Sequence, residues 1–171
     1  MRQGMFLFLC AALAACGSSS NQEAFHASMS SSQEVPLPTV NTPAPTGSAS
    51  FTNNGDGTVS YTVTGSNMTV SATATPPVTY TGMHIHLAVA GVAAGITVPL
   101  TRPPDNTSNS FTVTGTFSGT TCQGSAVNCI NTGQTLDTVL TAMRNGGAYL
   151  NVHTSKNTSG ELRGQIQAGG Q

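Results

Sequence analysis

The sequence predicts an all-β fold: an antiparallel β-sandwich or Greek-key barrel with one short helix near residues 135–145. Three observations predict it. Thr and Val recur in short runs separated by Gly, Pro, Asn and Asp, the mark of short strands joined by turns. In residues 58–64, Val59, Tyr61 and Val63 alternate with Thr58, Ser60 and Thr62, as a strand with one apolar face requires. One segment changes period: Leu136, Val139, Leu140 and Met143 stand at i, i+3, i+4 and i+7, which is one face of a helix.

Residues 24–30 make a first strand, with Phe25, Ala27 and Met29 on one face. The run from Glu34 to Pro45 is a loop or edge segment, because Pro cannot donate to a ladder. Glu34 itself is expected to cap loop amides. Residues 48–52 and 58–64 flank Asn53-Asn54-Gly55-Asp56-Gly57, a hairpin turn whose residues tolerate positive φ. Residues 68–74 are expected to form a short strand that Pro76-Pro77 ends. The next strand, residues 79–89, carries two histidines. A small-residue turn at 91–95 leads to a strand at 96–100. A loop at 102–109 precedes the strand 110–117. Thr135 caps the helix and Gly146-Gly147 ends it. The last two strands are residues 148–154 and 161–167, joined by a turn at 157–160. No internal repeat is evident.

The N-terminus reads as an export signal over residues 1–15. Arg2 supplies the charge and residues 5–13 the apolar run, too short for a membrane-spanning helix of about 20 residues. Leu13-Ala14-Ala15-Cys16 resembles a bacterial lipobox, which implies cleavage before Cys16 and a lipid on its thiol; the alternative is an ordinary secretory signal with an incidental Cys. Residues 16–23 are then a polar tether, and residues 24–168 a single domain. The expected place is the bacterial cell envelope, held by the lipid anchor and, without Asp after the Cys, more readily at the outer membrane. An envelope or extracellular protein is the expected partner beyond the membrane.

The formal charge is −1, and charged residues are 6% of the chain. No basic patch is present, so nucleic acid is not an expected partner. Of the four cysteines, Cys122 and Cys129 remain beyond the leader and the lipid site. In an oxidising compartment they are expected to form a disulfide that closes a small loop, in preference to a thiolate metal site.

The chemistry concentrates in His84-Ile85-His86 and Asn151-Val152-His153-Thr154. Three of the four histidines lie there. Alternation puts His84 and His86 on one strand face with Tyr80, opposite Ile85 and Leu87. It puts His153 with Tyr149 and Asn151, opposite Leu150 and Val152, and sets Glu161, Arg163 and Gln165 opposite Leu162 and Ile166. The expectation is a polar, solvent-facing patch holding all of these groups on rigid strands. Glu161 and Arg163 would most simply form a surface ion pair there, or a network with Tyr149.

Phe25-His26-Ala27-Ser28-Met29, Gln33-Glu34-Val35-Pro36, Met83-His84-Ile85-His86, Gly147-Ala148-Tyr149-Leu150-Asn151-Val152-His153-Thr154 and Gly160-Glu161-Leu162-Arg163-Gly164-Gln165-Ile166 occur in this order. In these motifs the chain resembles the CHRD (chordin-type) domain family over nearly all of its length after the leader. The resemblance implies a β-sandwich of immunoglobulin-like or superoxide-dismutase-like character. It implies no activity. Leu87-Ala88-Val89 replaces a more usual Gly-Pro-rich turn, and the Cys122–Cys129 loop is particular to this chain.

The sharpest functional expectation is a copper ion, with zinc second, at His84, His86 and His153, since neutral imidazole suits both metals. The H-x-H strand resembles the copper-binding strand of copper/zinc superoxide dismutases, an analogy of geometry and fold class. Tyr149, Asn151, Glu161 and Arg163 are candidate supporting residues, with Glu161 the one expected to fix an imidazole tautomer. His26 is a candidate fourth ligand. The plainer alternative makes the histidines structural. Motifs for serine hydrolases, phosphate-binding loops and CxxC redox pairs are absent. The expected role is a binding module rather than an enzyme, with a metal-dependent redox (dismutase-like) enzyme and a metal-free scaffold or adhesion module as alternatives.

Overall fold

A computed structural model describes residues 22–104 and 107–169. The expected leader, the lipid-site Cys16 and most of the tether lie outside the described residues. Eight strands follow in the order β1 (Glu23–Ser30), β2 (Thr46–Asn53), β3 (Thr58–Ser66), β4 (Tyr80–His86), β5 (Ile96–Pro99), β6 (Phe111–Ser118), β7 (Ala148–Thr154) and β8 (Leu162–Ala168). A 3-10 turn, Ser31–Gln33, follows β1, and the helix α1 (Leu136–Arg144) enters β7.

All eight strands join one antiparallel sheet in the order β5-β4-β7-β8-β1-β2-β3-β6, curled nearly into a barrel. Its edge strands, β5 and β6, are bridged by residues 128–131. Asn128 N donates to Pro99 O and Asn131 N to Thr97 O on the β5 side. Ser118 N donates to Asn128 O and Ile130 N to Thr120 O on the β6 side. Tyr61 adds its hydroxyl to Asn128 Oδ1 at 2.8 Å. The Cys122–Cys129 disulfide is formed and pins the start of this seam.

The alternation expected of β3 holds throughout: Val59, Tyr61 and Val63 are buried. With Phe25, Ala27, Met29, Phe51, Met83, Ile85, Leu150, Val152, Leu162 and Ile166 they form one apolar core. Helix α1 is capped as expected, Thr135 Oγ1 accepting from Thr138 N at 3.2 Å, a contact worth about 1 kcal/mol. Its Val139, Leu140 and Met143 are buried. In the β2–β3 hairpin, Gly55 and Gly57 take positive φ of 77° and 87°.

Two expectations need correction. Residues 68–74 do not form a strand; a single bridge joins Ser71 to Val78. Here Met68 and Val70 are buried among core residues, and Thr69 is held by Glu161 rather than by a ladder. Tyr80 does not share the histidine face. The β4–β7 register slips between Tyr80 and Gly82, so that Tyr80 pairs with Thr154 on the face of Leu150 and Val152. One extra residue in a strand turns every side chain before it to the other face. Tyr80 therefore packs in the core, edge to Phe111 at 5.3 Å.

Candidate metal centre

The β4–β7 ladder builds the site. Beyond the slip, Gly82 stands opposite His153, His84 opposite Asn151, and His86 opposite Tyr149. Cross-strand partners share a face, so three imidazoles converge on it. Ring centroids are 4.8 Å apart for His84 and His153, 5.8 Å for His84 and His86, and 6.2 Å for His86 and His153. One nitrogen from each lies within 4.8 Å of the others.

The backbone settles two tautomers. His86 Nδ1 stands 2.9 Å from Ala94 O, and His153 Nδ1 3.0 Å from Thr158 O. A carbonyl oxygen only accepts, so each Nδ1 carries the proton and each Nε2 keeps its lone pair. Those Nε2 atoms are buried and without a hydrogen-bond partner, and so is His84 Nδ1. An orphaned ring nitrogen on each of three neighbouring histidines is a set that could hold a metal, with the carbonyls fixing the orientation of two of the rings.

Burial is the main reason all three histidines are held neutral. It lowers His84 to about 4, with the neighbouring His153 and His86 adding repulsion. It also lowers His86 and His153, against hydrogen bonds to backbone that favour their charged forms. A buried imidazole loses hydration most when charged. Neutral rings at neutral pH are ready to bind metal without first releasing a proton.

The face is not the solvent-facing patch expected from alternation. His86, Tyr149, Asn151, Glu161 and Arg163 are all buried. Residues 87–95 fold over this side of the sheet and are fastened by its polar side chains. Arg163 Nη2 donates to Val92 O at 3.0 Å and to Val89 O at 3.4 Å, and Gln165 Nε2 to Ala88 O at 2.9 Å. Ala94 N donates to the Tyr149 hydroxyl at 3.0 Å. Alternation reports which face a side chain takes; it cannot report a loop that later covers that face.

Tyr149 links two neighbouring strands. The His86 ring of β4 stacks on it at 4.7 Å and 7°, and the Arg163 guanidinium of β8 sits 3.5 Å from its centroid. Of the two expectations for Arg163, the contact with Tyr149 forms, as a cation–π contact, and the ion pair with Glu161 does not.

Glu161 does not reach a histidine. Its carboxylate accepts from Thr69 N, Thr69 Oγ1, Thr154 Oγ1 and Asn157 Nδ2. It precedes β8 and ties three chain segments together, so the tautomer-fixing role falls to backbone carbonyls instead. His26 pairs with Ser50 and Gln167 on β1 and binds Gly169 O at 2.9 Å, outside the converging group.

Asn151 does border the site, and beneath it lies Glu34, a group expected only to cap its own loop. Glu34 is 3% exposed. Its Oε2 accepts from Asn151 Nδ2 at 3.3 Å. Glu34 Oε1 and Asn151 Oδ1 are both buried without partners. Burial raises the Glu34 carboxyl to about 8, against the pull of Arg163 and of the Asn151 bond. A neutral carboxylic acid offers a donor that both orphan oxygens lack.

The CHRD domain family model matches residues 25–166. The chain belongs to the CHRD domain family. No curated protein and no solved structure is significantly similar to it. The CHRD match runs from β1 into β8 and contains every residue of the histidine cluster. Among the described residues of this CHRD domain, no helix is long and apolar enough to cross a membrane.

Proposed function

We propose that this CHRD domain is a metal-binding module of the bacterial envelope, with a copper ion, and zinc second, held by His84, His86 and His153. The observation that carries the reading is the convergence of three buried ring nitrogens that lack any other partner. Bonds of about 2.0–2.1 Å allow two ligand atoms to stand at most about 4.2 Å apart. The widest spacing here is 4.8 Å, so small side-chain rotations complete the shell. No carboxylate or thiolate belongs to the set, which favours metals that accept imidazole over magnesium or calcium.

The residues themselves orient and shelter the ion. Ala94 and Thr158 carbonyls hold two rings in the tautomer that presents Nε2. Tyr149 stacks against His86 and steadies its ring, and residues 87–95 exclude water from it. The lipid anchor at Cys16 would hold this module at the membrane, with the outer membrane preferred and an envelope or extracellular protein as partner.

Titration of the folded, metal-stripped domain with cuprous, cupric and zinc ions tests the reading. One ion per chain in the wild type and at least about tenfold weaker uptake in His153→Ala are expected. Absence of stoichiometric uptake of any of the three ions would falsify it. The anchor is tested separately, by loss of lipid labelling in Cys16→Ser.

A further inference from the structure

The strand that carries the H-x-H pair also holds a glycine on the same face as the histidines. Gly82 stands opposite His153, two residues before His84. A strand at that position would ordinarily project a side chain between the two rings. Glycine leaves that space open, and His84 fills it. A Cβ built on Gly82 would lie 2.5 Å from His84 Cε1, 2.9 Å from Nε2 and 3.5 Å from Nδ1. The His84 imidazole thus folds back along its own strand over the glycine, bringing its centroid to 4.8 Å from that of His153.

The backbone does not demand glycine here. Positive φ occurs at Gly55, Gly57, Gly91, Gly124, Gly133, Gly146, Gly160 and Gly169, and not at Gly82. The register slip beside it uses backbone open to other residues. What Gly82 contributes is room.

We infer that Gly82 is a positioning residue, whose missing side chain lets the His84 ring lie beside His153 in the metal site. The role rests on the metal-binding reading above. It explains how two rings on neighbouring strands, His84 and His153, come to stand 4.8 Å apart. Any side chain at position 82 drives the His84 ring off its bed, away from His153, and leaves a two-histidine site. The displaced group is the end of a flexible side chain, so the strand tolerates the change.

The test is Gly82→Ala, compared with His84→Ala and the double variant, by copper and zinc competition titration on the folded domain. Gly82→Ala is expected to unfold cooperatively, to weaken uptake by the same factor as His84→Ala, at least about tenfold, and to add nothing in the His84→Ala background. Wild-type affinity in Gly82→Ala, or a full additive loss in the double variant, overturns the role.

A second readout needs no metal: proton NMR contacts between the His84 and His153 rings, present in the apo wild type, are expected to vanish in Gly82→Ala. Their survival overturns the proposed displacement. Failure of the wild type to take up metal overturns the metal reading and this role with it. Wild-type uptake with an unaffected Gly82→Ala removes the role alone.

Discussion

Replacing Glu34 by glutamine tests the electrostatics beneath the site. Burial raises the Glu34 carboxyl from 4.5 to about 8 in the fold. Below its unfolded value the group is neutral in both states and costs nothing. As pH rises, the unfolded chain ionises first, so the fold loses stability until the folded value is passed. At about 1.4 kcal/mol per unit, the full loss approaches about 5 kcal/mol.

Histidines complicate the acid half of that range. His84 is lowered from 6.5 to about 4 and the other two are also lowered. Such groups contribute stability that is largely present above 6.5 and falls with pH below it. Between 6.5 and 8 the unfolded histidines shed their remaining protons, which raises stability by about 0.4 kcal/mol each, while Glu34 costs about 2 kcal/mol; the difference between Glu34→Gln and wild type isolates the Glu34 part. In Glu34→Gln the new side chain would pair with Asn151 as amide to amide, supplying the missing donor without titrating.

The assay is urea unfolding of the apo protein in chelator at pH 6.5, 7.2 and 8. The stability of Glu34→Gln relative to wild type is expected to grow by about 2 kcal/mol across the series, the histidine contribution being common to both, with the variant the more stable of the two at pH 8. A difference that does not change with pH, with the variant destabilised equally throughout, would show an ionised Glu34 paired with Arg163 and refute the reasoning.

Other outcomes follow from separate parts of the structure. Acidifying the apo domain from pH 6.5 towards 4 should cost stability, less steeply in His84→Ala, as read from thermal midpoints corrected for the opposing Glu34 slope. Gly160→Ala would force a side chain, at φ 131°, into the side-chain atoms of Asn151 and Glu34; a loss of about 2 kcal/mol or more is expected in urea unfolding. Glu161→Ala leaves buried donors of Thr69, Thr154 and Asn157 unmatched, and about 3 kcal/mol or more should be lost by the same assay. Serine at both Cys122 and Cys129 removes the loop constraint, and a loss of about 2–3 kcal/mol is expected, with faster hydrogen exchange at the amides of Asn128 and Asn131 in the barrel seam.

Local pattern made much of this protein legible. Val59, Tyr61 and Val63 disclosed the inward face of β3 because a pleated strand repeats every two residues. Leu136 to Met143 disclosed the helix because its period differs. His84, His86 and His153 could be placed on matching faces by the same parity. Tyr80 defeated parity because a single-residue slip in the ladder depends on the partner strand, and β7 lies far along the chain. Glu161 defeated it because a residue just outside a strand owes nothing to the strand's phase.

Sequence alone therefore determined most of the strands, the helix, the disulfide pair, the family and the three candidate ligands, all of which depend on neighbours within a few residues or on ordered motifs. Tertiary structure decided that His86 and its polar neighbours are buried, since the cover of residues 87–95 is fixed by Arg163, Gln165 and Tyr149 from strands distant in sequence. It decided which nitrogen is free on His86 and on His153, since the carbonyls of Ala94 and Thr158 take the other one. It also decided what Gly82 is for: the space a missing side chain leaves has meaning only once His84 lies in it and His153 stands across the ladder.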